Sequence, residues 1–195
     1  MDSLTNTRSI PLTTYRVRHI VIRITEVIGY ADCKTRSHGK SGVIAHPMNE
    51  LNYEISTDKT RLDPAMIHDY LANRSYWAAG VPLAVVKRSI DNSLCFGIYH
   101  QGRQVGFGRA VTDCATMAYL ADVFILEEHR GKGLGKRLVK TIMAHPDLQD
   151  LRLWFLGTKD AHELYARFGF QKVAESPLKD RFMLIRNPDI YGSKE

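Results

Sequence analysis

The stretch FILEEHRGKGLGKRLVKTIM, Phe124 to Met143, constrains the fold more than any other part of the chain. An apolar run that reads as a strand ends here, glycines follow at the alternate positions 131, 133 and 135, and a run with helical spacing begins. Leu134, Leu138, Val139, Ile142 and Met143 mark one face of that helix, and Pro146 stops it. A strand that enters a helix through positions without side chains leaves backbone N–H groups exposed at the helix N-terminus. The helix macrodipole adds about half a positive charge at that end. An anion belongs there, and a pyrophosphate suits a nest of several N–H donors. Arg130, Lys132, Lys136 and Arg137 surround the turn with cations.

Two familiar nucleotide patterns do not fit. A P-loop needs glycine five positions before Gly135 and Ser or Thr after Lys136, where this chain has Arg130 and Arg137. A dinucleotide fingerprint needs glycine at 136, which is Lys, and belongs to the first strand of its domain, whereas this strand is the fourth. A glycine turn that only packs its helix closely is the plain alternative, but such a turn has no need of cations around it.

The rest of the chain supplies a single-domain frame. At 195 residues, 44% hydrophobic and 25% charged, it is long enough to bury a core without disulfides or metal. No apolar run approaches a membrane span, and Met1 to Leu12 is polar without a signal-peptide core, so a cytoplasmic address with no membrane partner is expected. Cys33, Cys95 and Cys114 are odd in number and widely spaced, which reads as free, buried thiols. The eight histidines show no ligand spacing, and no metal is expected. The net charge of +6 is uneven: residues 1–47 hold seven Lys/Arg against three Asp/Glu, and the remainder twenty against eighteen. Nucleic acid is therefore not expected as a partner. Residues 1–47, with a loose strand pattern over Tyr15 to Tyr30, are treated as an N-terminal extension of uncertain order. Residues 48–195 are the patterned domain, and Met48 could itself be an initiator.

Within that domain Leu51 to Ser56 reads as a strand. Asp63 and Pro64 open a helix as N-cap and first residue, followed by Met66, Ile67, Tyr70 and Leu71 at helical spacing. Pro82 to Ile90 is a second helix. Leu94 to His100, Gln104 to Thr112 and Met117 to Leu126 are strands. After the glycine helix, LRLWFLG is a buried strand, Ala161 to Phe168 a helix ended by Gly169, and Arg181 to Arg186 a closing strand. The order βααβββαβαβ is that of an α/β protein with a mixed sheet covered on both faces.

Arg130, Gly131, Lys132, Gly133, Leu134 and Gly135 carry the pattern RxxGxG, LADVFILEEHRGKG precedes it as strand and loop, and AHELYARFGF follows as a helix. In these segments, and from about Leu51 to Arg186, the sequence resembles the GNAT superfamily of N-acetyltransferases. The resemblance implies the acyl-CoA N-acyltransferase fold, with fourth and fifth strands that splay apart, and acetyl-CoA as the acyl donor without a metal. It implies that backbone groups of Val123 and Ile125 pair with the pantetheine arm and that Arg130 to Lys136 hold the pyrophosphate. Thr158 stands where many relatives place an Asn on the pantetheine. The resemblance implies Tyr165 as general acid for the leaving thiolate, and the N–H of Val123 or Phe124 as polariser of the thioester carbonyl. Polyamine-acetylating relatives carry Glu and Asp where this chain has Ala121 and Asp122. Asp122 is thus a candidate to bind the acceptor's ammonium or relay its proton, or to play a structural part, with water as base. Strand alternation puts Tyr119, Ala121, Val123 and Ile125 on one face and Asp122 on the other unless a bulge turns it.

Acceptor specificity is expected from Tyr76, Trp77, Pro82, Phe107 and Tyr119, an aromatic set able to stack on a cation or cover an apolar body. The leading expectation is an N-acetyltransferase acting on a small-molecule or peptide amine by direct attack. The alternatives are a non-catalytic acyl-CoA sensor of the same fold and an aminoacyl-tRNA acceptor contacted by the basic segment 1–47. Homodimer formation, common among relatives, is left open.

Overall fold

The computed structural model describes residues 52–187 and 190–191; the expectations for 1–47, for Met48 and for Cys33 lie outside the described residues. Strand β1, Tyr53–Ser56, is followed by helices α1, Pro64–Asn73, and α2, Leu83–Asp91. Strands β2, Leu94–His100, β3, Arg103–Thr112, and β4, Met117–Ile125, run on from them. Helix α3, Leu134–Met143, strand β5, Leu153–Leu156, and helix α4, His162–Ala166, complete the order. The sheet order is β1-β2-β3-β4-β5, antiparallel up to β4 and parallel between β4 and β5. This is the mixed α/β sheet with helices on both faces.

Local chemistry sets the helix ends. Asp63 Oδ1 accepts from the N–H groups of Ala65 and Met66, each at 3.0 Å, and Pro64 gives up a donor that the first turn could not have used. Gly169, at φ 87°, ends the α4 region, its N–H donating to Ala166 O. Two apolar clusters flank the sheet. On one face Leu134, Leu138, Val139 and Ile142 of α3 pack on Phe96, Ile98, Ala110 and Leu120, with Tyr165 and Phe168 at the margin. On the other, Ile67, Tyr70 and Leu71 of α1 and Val86 and Ile90 of α2 cover Cys95, Phe107 and Phe124. Tyr70 stacks on Phe124 with ring centroids 3.8 Å apart, seating α1 on β4. Cys95 is free and buried, and burial pushes its thiol up to about 11, so it is packing rather than a nucleophile.

The pairing of β4 with β5 covers only Met117 to Leu120 against Leu153 to Leu156, while β4 runs on to Ile125 against β3 alone. The two parallel strands therefore splay, and β4 keeps an open edge over its last residues.

The closing strand expected over Arg181 to Arg186 does not form. Met183, Leu184 and Ile185 are 99%, 84% and 102% exposed, and β5 remains the edge of the five-stranded sheet. A strand needs a ladder partner and a face to bury, and composition alone supplies neither.

Candidate active site

The splay is accompanied by a β-bulge. Arg109 lies opposite Ala121 and Phe107 opposite Phe124, so Asp122 and Val123 together face the single residue Gly108. Asp122 takes the left-handed conformation, φ 52°, which Asp tolerates better than most residues. The inserted residue reverses the alternation expected from the sequence. Ala118 and Leu120 belong to the α3 face, yet Phe124, an even number of residues further on, lies on the α1/α2 face. Asp122 is thereby brought beside Tyr119 and Ala121 into one cavity instead of pointing away from them. Gly108 is what lets α3 come so close at this point, because a Cβ there would meet Ile142, Leu138 and Val123 side chains at 3.2, 3.3 and 3.4 Å.

Beyond the bulge, Val123, Phe124, Ile125, Arg130, Gly131, Gly133, Leu134, Gly135 and Lys136 line a groove of about 460 Å³. Gly131 and Gly133 adopt φ 75° and 73°, which turn the chain into α3. Among the described residues, none of the N–H groups from Gly131 to Lys136 donates to a protein acceptor, and the first N–H of the turn to do so is that of Arg137, to Gly133 O at 3.0 Å. Such a row of free donors at a helix N-terminus fits a pyrophosphate. Arg130 does something different from its neighbours. Its Nε donates to Ile125 O at 3.0 Å and its Nη2 to Tyr70 Oη at 2.7 Å and Glu127 Oε1 at 2.8 Å, fastening the loop to the strand end and to α1. Lys132 lies outside the groove lining, its Nζ donating to Tyr53 Oη at 3.2 Å.

A second cavity of about 290 Å³ lies between α1, α2 and the opened sheet, with Tyr76, Trp77, Tyr119, Asp122, Thr158 and Tyr165 in its wall. Thr158 Oγ1 accepts from Ala161 N at 3.0 Å, tightening the loop before α4, and Thr158 lines this cavity rather than the groove. Phe107 lines neither: it is 1% exposed, in the core beneath α1 and α2, and so is a packing residue instead of the acceptor contact expected. Trp77, Val123, Asp160, Ala161 and Tyr165 line both cavities, and they mark where the two meet. Tyr165 makes no hydrogen bond to another described residue through its hydroxyl. Burial first, then Tyr76, Asp160 and Tyr119, push its phenol up to about 12. It is protonated throughout the neutral range and able to donate.

Arg109 and Asp160 were not singled out by sequence. Arg109 Nε donates to Asp122 Oδ2 at 2.6 Å across the bulge, and Trp77 Nε1 to Asp122 Oδ1 at 3.1 Å. Neither residue carries a motif, and the ladder that joins Arg109 to the bulge is not visible in one dimension. Among the described residues no group of three or more His, Cys, Asp or Glu could hold a metal, and no helix is long and apolar enough to cross a membrane.

A sheet opened between two parallel strands, with a nest of donors on one side of the opening and a separate cavity on the other, is the acyl-CoA N-acyltransferase architecture. A family model described as an acetyltransferase (GNAT) domain matches residues 91–172. The chain is 30% identical over 136 residues to a candidate acetyltransferase of Gibberella zeae, covering 60% of this chain and 77% of that one. It is 47% identical to a GNAT-family protein of Xanthomonas campestris pv. campestris, whose crystal structure superposes with a TM-score of 0.70 over 75% of this chain and 99% of that one. A Clostridium acetobutylicum protein solved with acetyl-CoA shares the fold, at 13% identity and a TM-score of 0.52 over 70% of this chain and 96% of that one. The chain belongs to the GNAT family of acetyltransferases.

Proposed function

We propose that this protein is an N-acetyltransferase that moves the acetyl group of acetyl-CoA to an amine seated in the cavity between α1, α2 and the opened sheet. The observation that carries this reading is the meeting of the two cavities at Trp77, Val123, Asp160, Ala161 and Tyr165. The free N–H groups of Gly131 to Lys136 and the open edge of β4 at Val123 to Ile125 would hold the donor's pyrophosphate and pantetheine. Support for acetyl-CoA comes also from the Clostridium acetobutylicum protein of the same fold that was solved with it.

The donor, when bound, supplies a thioester carbonyl open to direct attack by an amine nitrogen. The chain's part is to hold the two reactants together, to place a backbone donor from Val123 or Phe124 near the oxygen that gains charge, and to protonate the departing sulfur. Tyr165 is suited to that last step by its place where the two cavities meet, and it carries its proton throughout the neutral range. Arg130 braces the loop, and Tyr76, Trp77 and Tyr119 provide an aromatic wall for a small-molecule or peptide amine.

The test is to follow thiol release from acetyl-CoA with a panel of small amines and peptide N-termini. Release that depends on one amine class is expected. A protein that binds coenzyme A in a calorimetric titration but releases thiol with no amine would instead be the acyl-CoA sensor, and one that fails to bind coenzyme A would be neither.

A further inference from the structure

Two carboxylates face the acceptor cavity, and their surroundings are opposite. Asp122 is fully engaged: Oδ2 accepts from Arg109 Nε at 2.6 Å and Oδ1 from Trp77 Nε1 at 3.1 Å, while Arg109 Nη1 is itself held by Ser93 Oγ at 3.0 Å. The side chains of this pair are only 17% and 11% exposed, so the ion pair is poorly screened and costly to open. It spans β3 and β4 at the bulge, where Asp122 holds its left-handed backbone. An incoming ammonium would have to displace a guanidinium to reach it.

Asp160 stands on the loop after β5 and lines both cavities. It has no cation partner among the described residues, and its one hydrogen bond is from Tyr76 Oη, at 3.4 Å to Oδ1. Tyr76 Oη in turn accepts from Lys159 N at 2.7 Å, which leaves its own proton free to face Asp160. Among the described residues no donor reaches Asp160 Oδ2, at the junction where Tyr165 also stands.

We propose that Asp160, and not Asp122, is the carboxylate that meets the acceptor's ammonium and takes a proton from its nitrogen, while Asp122 is a positioning residue that locks the bulge through Arg109 and Trp77. The proposal rests on the reading of this cavity as an amine site. The acceptor enters as R–NH3+ paired with Asp160 and loses one proton to solvent by way of the carboxylate. The neutral nitrogen then forms the C–N bond as the C–S bond breaks. A second proton leaves the nitrogen through Asp160, and the departing sulfur takes one from Tyr165, which is reprotonated from that second proton. The balance is one amide, one thiol and one proton released. Among the described residues, the charged and titratable groups that line the two cavities with Asp160 are Tyr76, Tyr119, Tyr165, Tyr191 and the closed pair of Arg109 with Asp122 on the acceptor side and Tyr70, Arg130 and Lys136 on the donor side, with Lys159 beside it in sequence.

The experiment compares wild type, Asp160→Asn, Asp160→Glu and Asp122→Asn, with kcat and KM measured for the best amine of the panel and coenzyme A affinity measured by calorimetry. Asp160→Asn is expected to lose about 100-fold or more in kcat/KM, with KM for the amine raised and coenzyme A affinity unchanged. Asp160→Glu should regain part of the loss. Asp122→Asn should lower kcat without selective loss of amine affinity. If Asp160→Asn keeps wild-type kcat/KM and KM for the amine, the proposal is wrong, and a selective loss of amine affinity in Asp122→Asn would reverse the two roles. If wild type itself releases no thiol with any amine, the parent reading fails and this one with it.

Discussion

At the scale of single residues, Tyr165 and Gly133 carry the most specific expectations. The phenol of Tyr165 has a folded value of about 12 against an ordinary 10.0, so the fold prefers the protonated form. Below about pH 10 both folded and unfolded chains hold that proton, and Tyr165 contributes nothing to the pH dependence of stability. Between the two values the unfolded chain ionises first, so stability falls as pH rises through that window. Tyr165→Phe should flatten this share of the alkaline decline, which denaturant midpoints at a series of alkaline pH values would show. An equally steep decline in the variant would contradict the assignment. Gly133 is a question of backbone alone: an added Cβ would meet nothing within 4 Å, but φ is 73°. Gly133→Ala should therefore cost about 1–2 kcal/mol in urea unfolding and weaken coenzyme A binding as the nest shifts. Unchanged stability and affinity would show that the turn does not need its left-handed residue.

At the scale of elements, the sheet and α3 bear the stability and the bulge bears the site. Phe96 lies fully buried between the sheet and α3, and Phe96→Ala should cost about 3–5 kcal/mol, read as a lowered denaturant midpoint with an unchanged slope. Elements fixed by neighbouring residues were legible from sequence. Asp63 and Pro64 announced the start of α1, and Gly131, Gly133 and Gly135 announced the turn into α3. What depended on pairing between distant residues was not. The bulge arises because β3 contributes one residue where β4 contributes two, and only that mismatch turns Asp122 into the cavity and aligns Arg109 with it. Phe107 was misplaced for a related reason: an aromatic on a strand next to a site can face either way, and here it faces α1 and α2. The expected last strand had the right composition, but no ladder partner.

For the molecule as a whole, two helical layers hold an opened sheet, and the opening joins a donor groove to an acceptor cavity. The exposed run Phe182 to Ile185 lies outside both packed layers. Ile185→Lys should change unfolding free energy by no more than about 0.5 kcal/mol, in contrast to the core substitution, and a larger loss would mean that this run is buried in the folded protein. The most direct test of acetyl transfer at this junction is amine-dependent thiol release by wild type and Tyr165→Phe, with coenzyme A affinity measured on both. A fall of about 100-fold or more in kcat with affinity unchanged is expected, because the hydroxyl acts on the leaving sulfur and not on binding. Equal kcat in the two proteins would contradict the placing of the reaction at the junction where Tyr165 stands.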